Sequence, residues 1–116
     1  MNTLSTRGQA PVVTLSQAIA AGLAPDGGLY MPDSWPALSG EDFAGARSLP
    51  EVALRLLQPF FADEVIAPAL PAICADALAI EPPLVGFGAP HDYLLELFHG
   101  PTAEFKDYAA GFLAGC

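Results

Sequence analysis

The sequence predicts an α/β chain. Helix start and stop signals recur through the first 80 residues. Two β-rich runs, Leu84 to Phe87 and Tyr93 to Phe98, flank a turn. An apolar helical repeat follows Gly100-Pro101. Thr14-Leu15-Ser16-Gln17 opens the first helix as a capping box, and Gly22 closes it. Pro25-Asp26-Gly27-Gly28 is a turn, because proline presets φ and glycine reaches positive φ. Leu29-Tyr30-Met31 reads as a short extended segment ended by Pro32, and Ser39 to Ala44 as a helical turn or loop. Ser48 and Glu51 form a second capping box, with Pro50 in the first turn, where its absent N–H has no intrahelical partner to lose. Val52, Leu56 and Pro59/Phe60 keep helical spacing, so this helix ends near Phe60. A further helix from about Pro68 to Ala79 puts Leu70, Ile73, Cys74 and Ala77 on one stripe. Gly88 to Asp92 is a hairpin-type turn between the two β-rich runs, and His99-Gly100-Pro101-Thr102 breaks the second of them. Phe105, Ala109, Phe112 and Leu113 then fall at i, i+4, i+7 and i+8, the apolar stripe of a last helix still running at Cys116. The layout is a mostly helical first 80 residues, then strand, strand, loop and helix, and it reads as a piece of something larger.

Composition narrows the function. At 116 residues the chain holds one domain's worth of core, and with 53% hydrophobic residues and a mean hydropathy of +0.41 it is not disordered. Thirteen acidic residues against four basic ones give a net charge of −9. Nucleic-acid binding needs cations to neutralise phosphates, so it is set aside, and an anionic membrane surface is disfavoured for the same reason. No run approaches the roughly 20 apolar residues of a membrane span. Met1 to Gly8 lacks the apolar region of a signal peptide, so none is expected. Two cysteines make no disulfide framework, and reduced thiols in a cytoplasmic protein are expected. Cys74 falls on an apolar stripe as a small core residue, and Cys116 is expected to be exposed. His91-Asp92 and His99 with Glu96 are loosely spaced and lack a third strong ligand, so no metal site is expected. Nor is there a nucleophile-elbow signal for Ser/His/Asp catalysis.

One residue stands out. Lys106 is the only lysine, and the pattern sets it in the first turn of a helix that follows a strand. The partial positive charge of a helix start disfavours a cation there and favours the neutral amine that Schiff-base or general-base chemistry needs. Thr102 and Lys106 are four apart and share a face, so a hydroxyl can sit beside the amine. Gly100-Pro101 makes the approach tight and stiff. Against this, a lysine is ordinarily solvated and inert, with Glu104 or Asp107 as a surface partner.

The run Phe98-His99-Gly100-Pro101-Thr102-Ala103-Glu104-Phe105-Lys106-Asp107 resembles the pyridoxal-phosphate lysine motif of the threonine synthases. Ser5-Thr6-Arg7-Gly8 and Gly22-Leu23-Ala24-Pro25-Asp26-Gly27-Gly28-Leu29-Tyr30-Met31-Pro32 resemble that family's N-terminal signatures, in the same order. The resemblance runs from Ser5 to Ala114, and three ordered motifs are more specific than one. It implies the N-terminal portion of a fold-type II, tryptophan-synthase-β-like enzyme, with residues 1–85 as the N-terminal domain and 86–116 as the start of the pyridoxal-phosphate domain. It implies Lys106 as the Schiff-base lysine and proton shuttle, and Phe105 beside the cofactor. His99, Thr102 and Asp107 belong to the motif and either shape the loop or lie near substrate. The implied reaction converts O-phosphohomoserine and water to threonine and phosphate, a lyase chemistry acting on a phosphate ester. The family's phosphate cup and pyridine-nitrogen partner lie further along the chain, so these residues alone are expected to be inactive. The remainder of the same enzyme is the implied partner.

Bland readings stand beside these. Asp26-Gly27-Gly28 is turn chemistry, and Arg7 anchors the N-terminal segment to an acidic group or helps close the site. Two other functions compete: a threonine-synthase-like phospholyase with the same lysine, and a non-catalytic docking domain that self-associates or binds a partner through Phe105, Ala109, Phe112 and Leu113.

Overall fold

The computed structural model describes all residues from Met1 to Cys116. Strand β1 (Asn2–Ser5) lies between β2 (Val13–Thr14) and β3 (Tyr30–Pro32) in an antiparallel sheet. Thr3 pairs with Val13 on one side, and Leu4 with Met31 on the other. The expectation of a mostly helical first 80 residues misses β2, which is only two residues long, and β1, whose alternation is inverted. Thr3 and Ser5 face inward, 1% and 7% exposed, while Leu4 is 41% exposed. A strand that buries hydroxyls and bares its leucine carries no hydrophobic period. Both hydroxyls tolerate burial because each has an acceptor. Thr3 Oγ1 donates to the Val13 carbonyl at 3.0 Å, and Ser5 Oγ to Asp26 Oδ1 at 2.7 Å.

Helix α1 (Leu15–Ala21) starts as expected. Thr14 Oγ1 accepts from the Gln17 N–H at 3.2 Å, and Gln17 Oε1 accepts from the Thr14 N–H at 3.0 Å. Gly22, at φ +73°, closes the helix. A carboxylate from 48 residues away completes the cap. Glu64, 8% exposed, accepts from the N–H groups of Leu15 and Ser16 at 3.3 and 3.0 Å and from Ser16 Oγ at 2.6 Å. The Met1 ammonium lies 2.9 Å from the same carboxylate. Burial pushes this carboxyl up. The Ser16 hydroxyl, the Met1 ammonium and the Ser16 N–H outweigh that and hold it at about 2.

A 3₁₀ turn (Gly40–Phe43) occupies the Ser39–Ala44 stretch, and Asp42 Oδ2 accepts from the Ser39 N–H at 2.6 Å. Helix α2 (Leu49–Phe61) starts at Ser48, whose Oγ accepts from the Glu51 N–H at 3.4 Å. Only half of the expected box forms, since the Glu51 carboxylate accepts from the Arg47 N–H at 2.6 Å, one residue early. A second 3₁₀ turn (Ala67–Ala69) leads into α3 (Leu70–Ala77). The core lies between α2 and α3, around Ala53, Phe61, Leu70 and Cys74. Cys74 is the small core residue the sequence predicts, 1% exposed. Cys116 departs from expectation by being half-buried, and burial pushes both thiols up.

Strands β4 (Leu84–Gly86) and β5 (Tyr93–Leu95) form the expected hairpin, shorter than the β-rich runs. Helix α4 (Lys106–Gly115) packs on α3. Its packed face is not the predicted stripe. Tyr108 is buried, Phe112 is half-buried edge-on to Phe61 at 6.2 Å, and Phe105, Ala109 and Leu113 are exposed. The cause is two glycines. A Cβ at Gly111 would stand 3.4 Å from Ala77 Cα, and one at Gly115 would stand 2.9 Å from Ile73 Cγ2. Close approach there fixes the rotation of α4, which keeps Phe112 of the predicted stripe inside and leaves Phe105 and Leu113 outside. No helix is long and apolar enough to cross a membrane.

Candidate active site

The two N-terminal signatures meet in space. The loop after β1 runs through Thr6-Arg7-Gly8, and the turn before β3 runs through Asp26-Gly27-Gly28. Thr6 N–H donates to the Leu29 carbonyl at 2.8 Å, and Leu29 N–H to Thr6 Oγ1 at 3.0 Å. Asp26 is the hub. Its Oδ1 accepts from Ser5 Oγ and from the Gly28 N–H at 2.9 Å, and its Oδ2 from the Gln9 N–H at 3.0 Å. The Ser5 hydroxyl chiefly, opposed by partial burial and aided by the backbone N–H groups of Gly28, Gln9 and Ala10, holds this carboxyl below its usual range. Glycine at 27 supplies φ +77°. Glycine at 28 leaves the space that Ser5 Oγ fills, since a Cβ there would collide with it. Arg7 anchors this unit, donating from Nη1 to the Asp26 carbonyl at 3.1 Å.

The lysine loop is a second unit. Gly100 to Phe105 turns between β5 and α4, and Lys106 is the first helical residue. The Ala103 N–H donates to the Gly100 carbonyl at 3.0 Å. Asp107 reaches back over this turn. Its Oδ1 accepts from Thr102 Oγ1 at 2.6 Å, and its Oδ2 from the Thr102 N–H at 2.9 Å. The Thr102 hydroxyl foremost, against slight burial and with the N–H groups of Thr102 and Glu104 and the charge of Lys106, holds Asp107 below the usual carboxylate range. Asp107 also presses on Gly100, where a Cβ would lie 2.6 Å from its own Cβ. The spacing argument for a Thr102 hydroxyl beside Lys106 therefore gives way: Thr102 precedes the helix, and its hydroxyl goes to Asp107. The Lys106 ammonium pairs with Glu104 Oε2 at 2.7 Å, both side chains more than half exposed.

The other motif residues take separate places. Phe105 stands at the N-cap position, 71% exposed. His99 stacks on Phe98 with ring centroids 4.7 Å apart and pairs with Glu96 Oε2 at 2.7 Å. The structure thus gathers Thr102, Glu104, Lys106 and Asp107 around one loop and leaves His99 on the strand side. Sequence reasoning missed Ala103, which sits at φ +57° in the left-handed region that side chains other than glycine rarely adopt. No residue-type signal marks an alanine for that conformation. Its position between a proline-stiffened turn and the lysine is the nearest thing to one.

Comparison with known proteins places the chain. A family model described as threonine synthase N terminus matches residues 3–78. The threonine synthase of Pseudomonas aeruginosa is 38% identical over 97% of this chain and 25% of its own length. That of Schizosaccharomyces pombe is 36% identical over 95% of this chain and 23% of its own. The crystal structure of pyridoxal-phosphate-bound threonine synthase from Brucella melitensis overlays 99% of the chain with a TM-score of 0.87 at 42% identity, using 26% of that protein. The chain spans about a quarter of the length of the curated relatives it matches. Its helices and strands overlay those of the corresponding part of that structure, in the α/β fold the sequence predicts. The match over residues 3–78, more than half of the chain, establishes that the chain belongs to the family of the threonine synthase N terminus.

Proposed function

We propose that this chain is the N-terminal portion of a cytoplasmic threonine synthase, and that Lys106 is the residue that holds pyridoxal phosphate. The observation that carries the reading is the position of the chain's only lysine. It is the first residue of α4, accessible, and presented by a loop tied down at Thr102 and Asp107. That geometry sits in a chain whose structural neighbour is a pyridoxal-phosphate-bound threonine synthase. The residues present fit the cofactor: an accessible primary amine, an exposed aromatic ring at Phe105, and no core packing that ties either down. The phosphate cup and the partner of the pyridine nitrogen belong to the remainder of the enzyme, with which residues 86–116 begin the cofactor domain. A boundary near residue 85 is supported by the end of the matched family region at residue 78.

Bound there, pyridoxal phosphate supplies an electron sink for carbanionic charge on the substrate. The remaining work falls to side chains. Lys106 would hold the cofactor through Nζ, and the same amine would move protons as general base and acid. Glu104 holds that nitrogen near the loop while it is free. Asp107 and Gly100 hold the loop from which Lys106 projects, and Phe105 would lie beside the cofactor. The substrate is O-phosphohomoserine, with phosphate leaving and water adding to give threonine.

The test uses the full-length enzyme. Borohydride reduction followed by peptide mapping is expected to place the cofactor tag on Lys106. A tag on any other residue refutes the assignment. Lys106→Ala is expected to lower threonine formation by at least about 10²-fold, the smallest usual contribution of a general acid–base group. Lys106→Arg is expected to fail as badly, because a guanidinium does not give up its proton. Phosphate release without threonine would instead assign the phospholyase reading.

A further inference from the structure

The β4–β5 hairpin is apolar on both sides. Leu84 pairs with Leu95, Val85 with Leu94 and Gly86 with Tyr93. Opposed residues share a face, so Leu84, Tyr93 and Leu95 lie on one side and Val85 and Leu94 on the other. All five are 42–61% exposed, and the principal packing partner of each strand is the other strand. A hairpin with one wetted face alternates apolar and polar residues, whereas strands buried on both faces are apolar throughout. No charged residue stands in either strand, in a chain with thirteen acidic residues.

Both edges are open as well. The Phe87 N–H donates to the Asp92 carbonyl, and the Glu96 N–H to the Pro83 carbonyl, each at 2.9 Å. The alternation of an antiparallel ladder then makes Val85 and Leu94 the bonded pair between them. It turns the N–H and C=O groups of Leu84, Gly86, Tyr93 and Leu95 outward. No third strand meets them. Edge strands are ordinarily blunted by a charge, a proline or a bulge, and neither β4 nor β5 has one. The chain corresponds to 26% of the threonine synthase it overlays, so most of such a protein is at hand to cover the hairpin. A second copy related by a twofold axis would bury one face or one edge and leave the rest bare.

We propose that the hairpin is an inner strand pair of the complete enzyme. A strand from the polypeptide beyond residue 116 pairs with one of its outer edges, and apolar elements of that same polypeptide cover both faces. This rests on the reading of the chain as an N-terminal portion and not on the role of Lys106.

The experiment uses the full-length protein. Amide exchange of the wild type is expected to show the outward N–H groups of one edge, Leu84 with Gly86 or Tyr93 with Leu95, as slow as those of Val85 and Leu94. Val85→Cys and Leu95→Cys place one thiol on each face. Each is expected to react with a maleimide at least about 10²-fold more slowly in the native protein than in urea, as a site that opens only by local unfolding does. Peptide mapping separates these thiols from Cys74 and Cys116. Fast exchange at all four outward amides overturns the proposal, as does fast labelling of either thiol in a variant that keeps the wild-type circular dichroism. Protection lost on about 100-fold dilution would assign the cover to a second copy and overturns it too. Where a cysteine variant does not fold, the wild-type exchange decides. A natural protein of only 12.0 kDa would remove the occupant and refute the N-terminal-portion reading with it. Failure in a longer protein overturns the hairpin proposal alone.

Discussion

The buried carboxylate of Glu64 gives the sharpest stability prediction. Its side chain is 3% exposed and accepts four hydrogen bonds, two of them from the first backbone N–H groups of α1. Those N–H groups have no intrahelical partner, and an anion beside them also meets the positive end of the helix dipole. Glu64→Gln keeps the shape, removes the charge and turns one acceptor oxygen into a donor. The folded-state value of about 2, against an ordinary 4.5, corresponds to roughly 3 kcal/mol of stability. The sign follows from the direction. A carboxyl depressed by folding stabilises the protein at pH values above its unfolded value. That contribution disappears as pH falls from about 5 toward 2. Urea unfolding followed by circular dichroism is expected to show Glu64→Gln less stable by about 3 kcal/mol at pH 7, with the difference shrinking toward zero near pH 2. If the variant unfolds at the wild-type midpoint at pH 7, or if the gap between the two does not close in acid, the carboxylate does not cap α1.

Two further outcomes follow from the loops. Gly28→Ala drives a methyl group into Ser5 Oγ and separates the two N-terminal segments, with an expected loss of roughly 1–3 kcal/mol in urea unfolding. Wild-type stability in that variant would mean that the Ser5–Asp26 contact adjusts freely. Ala103 at φ +57° lies where a β-branched side chain is strongly disfavoured, so Ala103→Val is expected to loosen the lysine loop. Faster amide exchange over residues 100–106, with exchange in α2 unchanged, is the expected reading.

How much of this was legible in sequence depends on which residues carry the signal. Thr14, Gln17, Gly22 and Ser48 announce helix ends through local hydrogen bonding, and α1 and the start of α2 lie where those residues put them. Pro25 to Gly28 announces a turn in the same way. Strand β1 was invisible because Thr3 and Ser5 are buried by virtue of partners 10 and 21 residues away, Val13 and Asp26. The role of Glu64 was invisible because its hydrogen bonds to Ser16 span 48 residues. The Glu51 bond to Arg47 in place of Ser48 shows the limit of a spacing rule, since one residue of slack satisfies a different N–H. The lysine loop was legible as a motif, and its internal bonding was not. Asp107 belonged to the motif, but its service to Thr102 depends on where the helix starts.

The rotation of α4 ties these observations together. At about 100° per residue, the face that meets α3, made by Tyr108, Gly111, Phe112 and Gly115, is centred roughly 170° from Lys106. The glycines that defeat the predicted apolar stripe therefore also turn the lysine away from the chain's own core. Ala109 and Leu113 flank it on the exposed side, within about 60° around the helix. The packing of α4 on α3 thus anchors the helix through close backbone approach and leaves the opposite side, with Lys106 and Leu113, exposed on the surface of the chain.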